Sequence, residues 1–455
     1  MDIGGLSLIL FIGIFSLLII LHELGHFIFA RLGKMEVEEF GFGIPPRVLR
    51  LWRMKGHLQV GQHSIEIPRN YELPVERQAL TGRGVEVVVE PVGEKLVLRS
   101  MALAATEGGQ YTAPAQDVTP LPDGRIQISG IARQVSPGTE FTLNALPLGG
   151  FVRLKGENDP NVNEPGGYYS SNPWARLAMI AAGPVMNILV GVIAYIFLFA
   201  QTGIPITSEV LIAEVQAQSP AAAAGLQPND RILSIAGQPI ESIADVRGIV
   251  YSRLDQPTDL LIQRAGQELT VTLTPSSQRA PDQGAMGVLL GNPIRKTSFA
   301  EAVGYGTAAT GVHIYTLLTL PAQAISGAIT PEEGRLVGLK GIYDFTYQSV
   351  QRDIESRQTL PASTDEITTS AETPTYYTLM LLITLTLSLG VFNLLPIPAL
   401  DGGRIVFLLP ELIFRRRVPP NIETATHSIG FLLLIGLMIY INLMDFINPA
   451  TIQLP

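Results

Sequence analysis

Four long apolar runs dominate the hydrophobic pattern of the chain. They cover residues 4–30, 177–200, 376–399 and 428–446, and each is long enough to cross about 30 Å of hydrocarbon as a helix. The first run has neither a basic leader nor a small-residue cleavage site, so we expect it to be retained rather than removed as a signal peptide. The pattern predicts a multi-pass α-helical membrane protein with four transmembrane helices.

A fifth stretch, residues 302–331, contains no Asp, Glu, Lys or Arg. Its glycines and threonines, together with His313 and Pro321, make it much less apolar than the four runs. We therefore expect an interfacial or amphipathic helix rather than a fifth crossing.

Two segments between the runs have the pattern of folded domains. Residues 57–138 alternate apolar and polar positions, as in "GVEVVVEPVGEKLVLRS", which predicts a β-rich insert. Residues 206–277 contain "SPAAAAGLQPNDRILSIAGQPI", which resembles the turn and strand region of a PDZ domain of α+β class. Residues 352–374 are rich in Thr, Ser, Asp and Glu, which favours a flexible linker.

Composition supports a membrane protein, because 47% of the residues are hydrophobic and only 16% are charged. The formal net charge of −9 argues against a nucleic-acid partner, which requires clustered Lys and Arg. The chain has no cysteine, so a metal would have to be held by histidines and carboxylates.

Flanking positive charge predicts the orientation of the runs. Basic residues follow the first run, precede the second and lie between the third and fourth: Arg31, Lys34, Arg47, Arg50, Arg53, Arg176, Arg404, Arg415, Arg416 and Arg417. These segments should face the cytoplasm, while residues 201–375 should lie outside. A plasma-membrane protein with an external PDZ domain and a cytoplasmic insert is the expected arrangement.

Near its end the first run contains three ionisable residues, which are unfavourable in hydrocarbon. In "HELGH", His22 and His26 are one helical turn apart, so both imidazoles can bind one Zn²⁺ while Glu23 reaches a water on the metal. The alternative is a chance match, or two histidines at the membrane interface. Because ionisable groups beside hydrocarbon cost several kcal/mol unless they are paired or coordinated, we favour the metal site.

A third zinc ligand must come from elsewhere, and Asp401 is the candidate. It follows the third apolar run, where Pro396 and Pro398 break the helix and free the backbone to bend. If residues 201–375 are external, the first and third runs point the same way. His26 and Asp401 then lie near the same cytoplasmic depth.

Several motifs together resemble the bacterial site-2 proteases, the membrane-embedded zinc metalloproteases that include the regulator of sigma-E protease. They are HELGH at 22–26, FGFG at 40–43, NALPLGGFVRLKGE at 144–157, GPVMN at 183–187 and NLLPIPALDGG at 393–403. The insert at 57–138 departs from the family pattern, in which FGFGP is joined closely to the next β element.

The resemblance implies a role for each matching residue. His22, His26 and Asp401 would bind Zn²⁺, and Glu23 would act as the general base. Asn393 would orient or stabilise the scissile carbonyl. Three further residues would contact the substrate: Gly149, Gly150 and Asn187.

The resemblance also implies partners. NALPLGGFVRLKGE would form a membrane-associated β-hairpin whose edge holds an unwound substrate strand, and the PDZ domain would bind a peptide and screen substrates. The substrates would be single-pass membrane proteins in the lipid bilayer, such as an anti-sigma factor or a remnant signal peptide.

The expected segments are the first helix with its flank at 1–56, the insert at 57–138, the β-hairpin and loop at 139–175 and the second helix at 176–201. They continue with the PDZ domain at 206–277, an interfacial helix and linker at 278–375, the third helix at 376–404, and a loop with the fourth helix at 405–455.

Two alternatives stay open. A non-catalytic PDZ-bearing scaffold could keep a structural or vestigial metal site, although zinc binding alone does not require Glu23. A metal transporter is a weaker alternative, because it needs polar residues along a path through the bilayer, and the outer halves of the runs offer almost none.

Overall fold

A computed structural model describes residues 2–75, 77–104, 117–157, 164–278, 284–327, 335–359, 367–368 and 376–448. The helices of the described residues are α1 (Ile3–Leu32), α2 (Arg77–Leu80), α3 (Pro173–Thr202), α4 (Pro220–Ala223), α5 (Ile243–Ser252), α6 (Phe299–Ser326), α7 (Leu339–Thr359), α8 (Tyr377–Leu394), α9 (Asp401–Phe414) and α10 (Pro420–Ile447).

The strands are β1 (Val37–Arg53), β2 (Gly56–Val60), β3 (His63–Ile67), β4 (Gly84–Val92), β5 (Lys95–Leu103), β6 (Asp117–Pro120), β7 (Ile126–Ser136), β8 (Glu140–Leu154), β9 (Ile204–Pro205), β10 (Val210–Val215), β11 (Arg231–Ile235), β12 (Gln238–Pro239), β13 (Thr258–Arg264), β14 (Gln267–Leu273), β15 (Val288–Gly291), β16 (Ile294–Arg295) and β17 (Ile367–Thr368).

Four helices of the described chain are long and apolar enough to cross a membrane: α1, α3, α8 and most of α10 (Asn421–Ile447). They coincide with the four predicted runs, and this part of the prediction is confirmed. The third span is shorter than expected because Pro396 and Pro398 follow its last turn. Asp401 therefore does not belong to the predicted third helix at 376–404 but begins the separate helix α9.

Small residues let the spanning helices pack backbone against backbone. A methyl group added at Gly25 of α1 would lie 2.8 Å from the carbonyl carbon of Ala182 in α3. One added at Gly390 of α8 would lie 3.0 Å from the carbonyl oxygen of Pro184, also in α3. Close approach of this kind is typical of helix packing in membranes, where van der Waals contact replaces the hydrophobic effect. Helix α3 is thus the central element that fixes α1 and α8.

The predicted β-hairpin has a different topology. The two arms of β8 do not pair with each other, because β1 lies between them: Phe42 pairs with Leu143 on one side and with Gly150 on the other. The second half of β1, residues 47–53, pairs with the free edge of the first arm of β8, residues 140–144. The FGFG strand, distant in sequence, has inserted into the expected hairpin and converted it into a sheet of four strand segments.

The predicted β-rich insert is a closed barrel. Neighbours around it are β2, β3, β5, β4 and β7, and β7 pairs back with β2, while β6 adds to β7. In β4 the buried Val85, Val87 and Val89 alternate with more exposed positions. Successive side chains of a strand point to opposite faces, so these three valines face the interior of the barrel. The core is aliphatic, with Leu58, Ile65, Leu98 and Ile128 buried.

A second β domain follows α3. Its sheet has the order β14-β13-β11-β10-β15, with β12 beside β11. The predicted boundary at residue 277 is too early, because β15 pairs with β10 and completes the sheet. The chain enters and leaves this domain through a narrow neck in which β9 pairs with β16. Its interpretation as a PDZ domain stays a prediction.

Two helices connect this domain to α8. Helix α6 packs on the last turns of α3, where His313 Nδ1 lies 2.9 Å from the Tyr195 hydroxyl. It is not one of the four helices apolar enough to span, and its interfacial position stays a prediction. The prediction of a flexible linker at 352–374 is wrong for residues 352–359, which belong to α7. In this part of α7, Asp353 accepts hydrogen bonds from the first two backbone amides of α8. Residues 360–366 and 369–374, like 328–331 of the fifth stretch, lie outside the described residues.

Candidate metal centre

Helix α1 presents two imidazoles on one face. His22 and His26 are four residues apart, and their Nε2 atoms lie 3.2 Å from each other. His22 is 7% exposed, so its ring is almost withdrawn from solvent. Two ring nitrogens at this distance face a common point rather than separate partners.

Helix α3 orients both rings from behind. His26 Nδ1 donates to the backbone carbonyl of Met179 at 2.8 Å. His22 Nδ1 lies 3.2 Å from the side-chain amide of the fully buried Asn187. Because each Nδ1 has a partner, each ring turns its Nε2 toward the same space, as metal-binding histidines with outer partners do.

The carboxylate comes from Asp401, the first residue of α9, directly after the turn that follows α8. Asp401 Oδ2 lies 3.1 Å from His22 Nε2 and 3.4 Å from His26 Nε2. The structure therefore brings together the three residues that the sequence singled out as metal ligands, although His22 and Asp401 are 379 positions apart in the chain. Their ligand atoms all lie within 4.8 Å of one another.

The donor set fits Zn²⁺. Ligand atoms about 2.0–2.1 Å from a tetrahedral zinc lie about 3.3–3.4 Å apart, close to the three spacings found here. Two imidazoles and one carboxylate leave a fourth position for water or substrate, as in catalytic zinc sites. Asn187 Nδ2 lies 3.2 Å from His22 Nδ1, and Asn187 Oδ1 is buried without a hydrogen-bond partner; with the amide reversed, Oδ1 would accept the proton that Nδ1 carries when Nε2 binds a metal.

A cavity of about 240 Å³ opens at this cluster. Glu23 and Asn393 line it together with the three candidate ligands. Asn187 is not among the lining residues. Its side chain lies behind His22, where it can hold the ring, and its predicted contact with substrate stays a prediction.

One arm of β8 forms a wall of the cavity. Phe151, Val152 and Leu154 line it. A methyl group added at Gly150 would lie 3.3 Å from Glu23 Cγ and 3.1 Å from the Gly41 carbonyl oxygen. The glycine thus permits close approach of the strand to Glu23. Gly149 has φ +138° and packs against Ile44, so its observed role is in the turn, and substrate contact there stays a prediction.

Sequence reasoning missed two residues of the site. A methyl group at Gly183 would lie 2.8 Å from His22 Nε2 and would overlap the imidazole of His26. Gly183 begins the GPVMN motif, which was the available signal. Arg404, one turn after Asp401, lines the same cavity and donates to Glu157 at 2.7 Å. In the sequence Arg404 stood out only as one of several basic residues near the ends of the apolar runs.

Comparison with known proteins agrees with this site. The family model described as peptidase family M50 matches residues 10–60 and 126–437, leaving most of the barrel unmatched. Zinc metalloprotease RasP of Bacillus licheniformis is 26% identical over 96% of this chain and 98% of its own length. RasP of Oceanobacillus iheyensis is likewise 26% identical over 96% and 98%. The protein mll0638 of Mesorhizobium japonicum is 29% identical over 66% of this chain and 83% of its own.

The matched region contains the two histidines, the glutamate and the aspartate that line the cavity, and the chain carries four helices apolar enough to cross a membrane. The chain belongs to peptidase family M50, the family of the site-2 proteases, and is a zinc metalloprotease of the membrane.

Proposed function

We propose that the protein is an intramembrane endopeptidase that cleaves single-pass membrane proteins within or beside their spanning segment. The observation that carries the proposal is the convergence of His22, His26 and Asp401 on one point beside Glu23, in a cavity adjoining apolar helices. These three residues would hold Zn²⁺, which when bound supplies a Lewis acid that polarises a carbonyl and lowers the pKa of a water molecule.

Two side chains of the protein carry out the other steps of peptide hydrolysis, proton transfer and stabilisation of the carbonyl oxygen. Glu23 accepts the proton that the attacking water loses and passes it to the nitrogen of the leaving amine, so that the peptide bond breaks without net proton change. The Asn393 side-chain amide donates a hydrogen bond to the carbonyl oxygen as negative charge develops on it. Both side chains line the cavity with the ligand set.

The second arm of β8 is suited to hold the substrate. A helical peptide hides its carbonyls in its own hydrogen bonds, so the segment to be cut must be extended. Residues 150–154 pair with β1 on one side, and no described strand pairs with their other side. A substrate strand added there by β-augmentation would pass next to Glu23.

The domain between β9 and β16 would act as a PDZ domain that screens substrates. Its neck, formed by the pairing of Ile294 with Pro205, keeps the chain ends of the domain together. Anti-sigma factors and remnant signal peptides, already trimmed outside the plasma membrane, are the substrates that such screening would admit. In this arrangement the metal centre faces the cytoplasmic side, as the basic residues flanking the spans favour.

Two variants test the proposal in purified full-length protein reconstituted with a single-pass model substrate. Glu23→Gln should lower the cleavage rate by at least about 100-fold, the lower range for general acid–base catalysis, while zinc content stays unchanged. Replacing residues 206–293 by a short turn that keeps the neck should increase cleavage of substrates with large external domains.

Full activity of the Glu23→Gln protein would reject the assigned chemistry. A parent protein without zinc that also fails to cut the substrate would favour the scaffold alternative. Unchanged discrimination after removal of the domain would reject the screening role without affecting the assignment of the metal centre.

A further inference from the structure

The fourth spanning helix contacts the turn that directly precedes Asp401. His427 of α10 accepts a hydrogen bond at Nδ1 from the backbone amide of Ala399, at 2.9 Å. Less than one turn further along, Gly430 lies against Pro398: an added methyl group would be 2.9 Å from the Pro398 carbonyl carbon. Helix α10 thus contacts two successive residues of the turn, one by a polar bond and one by close packing.

The turn itself is in an unfavourable conformation. Ala399 has φ +75°, in the left-handed region that residues with a Cβ avoid. On its other side the turn packs closely against α9, because a methyl group at Gly403 would lie 3.0 Å from Pro398 Cα. Such a backbone persists only where its surroundings hold it. Ala399 is two residues from Asp401, so its conformation sets where the carboxylate points.

The rest of α10 makes little contact with the molecule. Phe431, Leu432 and Ile439 are each more than half exposed, as side chains facing lipid would be. Polar residues in such a span are costly and usually have a partner. At the outer end Asp445 accepts hydrogen bonds from the amide of Gly338, just before α7, at 2.7 Å and from the amide of Gly341 in α7 at 3.3 Å. At the inner end the hydrogen-bond partner of His427 is the Ala399 amide, in the turn before Asp401.

We infer that His427 is a positioning residue for Asp401: by accepting the Ala399 amide it holds the turn in the conformation that places the carboxylate beside the two imidazoles. The inference rests on the proposed function of Asp401 as a zinc ligand. It assigns to the fourth span a share in building the metal centre, although none of the three candidate ligands lies on that helix.

The chemistry of the bond suggests a matched set of variants. The bond requires an acceptor at the position of Nδ1. The oxygen of asparagine occupies nearly that position, whereas the carboxamide of glutamine reaches toward the position of Nε2. His427→Asn should therefore keep the hydrogen bond to the Ala399 amide, whereas His427→Phe and His427→Gln should lose it. His313→Phe is the control, because it removes a histidine partnered across another helix pair, far from the turn in sequence.

Two quantities are measured on the full chain in nanodiscs: zinc affinity, by competition with a chromophoric chelator, and hydrogen exchange of the Ala399 amide, by mass spectrometry. We expect His427→Phe and His427→Gln to weaken zinc binding about 10-fold, the lower range for residues behind a metal ligand, and to speed exchange at Ala399. His427→Asn and His313→Phe should match the parent in both.

Parent-like zinc affinity of His427→Phe would overturn the inference, and so would an Asn variant as impaired as the Phe variant. Asp401→Ala in the same assay separates the two proposals. If it binds zinc like the parent, the ligand assignment itself fails. If it loses zinc while His427→Phe does not, only the positioning role fails. Exchange at Ala399, measured on zinc-free protein, reports on the bond to His427 in either case.

Discussion

The His22 ring and the Asn187 side chain form a buried pair, with His22 Nδ1 3.2 Å from the Asn187 amide and Asn187 Oδ1 otherwise without a partner. When Nε2 binds a metal, Nδ1 carries the proton and needs an acceptor, which the Oδ1 atom supplies once the amide is reversed. The reversed amide gives the His22 Nδ1 proton the acceptor that it needs when Nε2 binds a metal. This relationship links the second span to the first through the metal centre.

Asn187→Leu should therefore weaken zinc binding about 10- to 100-fold, because the His22 ring loses the partner that fixes its orientation. Chelator competition on the purified protein measures this. Thr386→Val is the matched control: it removes a buried hydroxyl that donates to the Asn187 backbone carbonyl at 3.0 Å without touching His22. Equal zinc affinity in the two variants would show that Asn187 has no such role.

Gly183→Ala should abolish stoichiometric zinc binding although every candidate ligand remains. The added methyl group would overlap the His26 ring and lie 2.8 Å from His22 Nε2, in the space where the metal must sit. Zinc content by elemental analysis measures the effect. Gly13→Ala, on the same spanning helix as the two histidines, meets nothing within 4 Å and should keep its zinc. A Gly183→Ala protein with normal zinc content would mean that the metal lies elsewhere.

Gly150→Val should lower cleavage while sparing zinc. The larger side chain would fill the gap between the β8 arm and Glu23, where the methyl position is already only 3.3 Å from Glu23 Cγ. Turnover of a model substrate and zinc content are measured together. Gly248→Val, on α5 of the domain between β9 and β16, has open space around it and serves as control. Unimpaired turnover in Gly150→Val would reject the proposed substrate path along this strand.

The barrel should be removable without loss of the metal centre. Its two connections are adjacent, since the Met54 amide donates to the Thr139 carbonyl at 2.9 Å. Deleting residues 56–137 and joining Lys55 to Gly138 would leave a two-residue turn, with Gly138 already at φ +92°. Zinc content and the thermal unfolding midpoint of the helical signal test this. Loss of zinc in the shortened chain would assign the barrel a structural role at the site.

The sequence predicted what depends on local spacing. HExxH places two imidazoles on one helical face, and the proline pair before Asp401 indicated a break there. It could not predict contacts that depend on backbone approach between distant segments. Gly183 acts through the absence of a side chain against α1, and β1 inserts between the arms of β8 across about a hundred intervening residues. Such pairings are decided by tertiary packing, so no local pattern records them.

The central claim is that His22, His26 and Asp401 hold one zinc ion together. Zinc K-edge X-ray absorption on the purified protein, with Asp401→Ala alongside, tests it most directly. The account predicts one zinc per chain bound by two imidazoles and further oxygen ligands, and a marked loss of zinc in the variant. Zinc bound equally well, with an unchanged spectrum, after removal of the Asp401 carboxylate would contradict it.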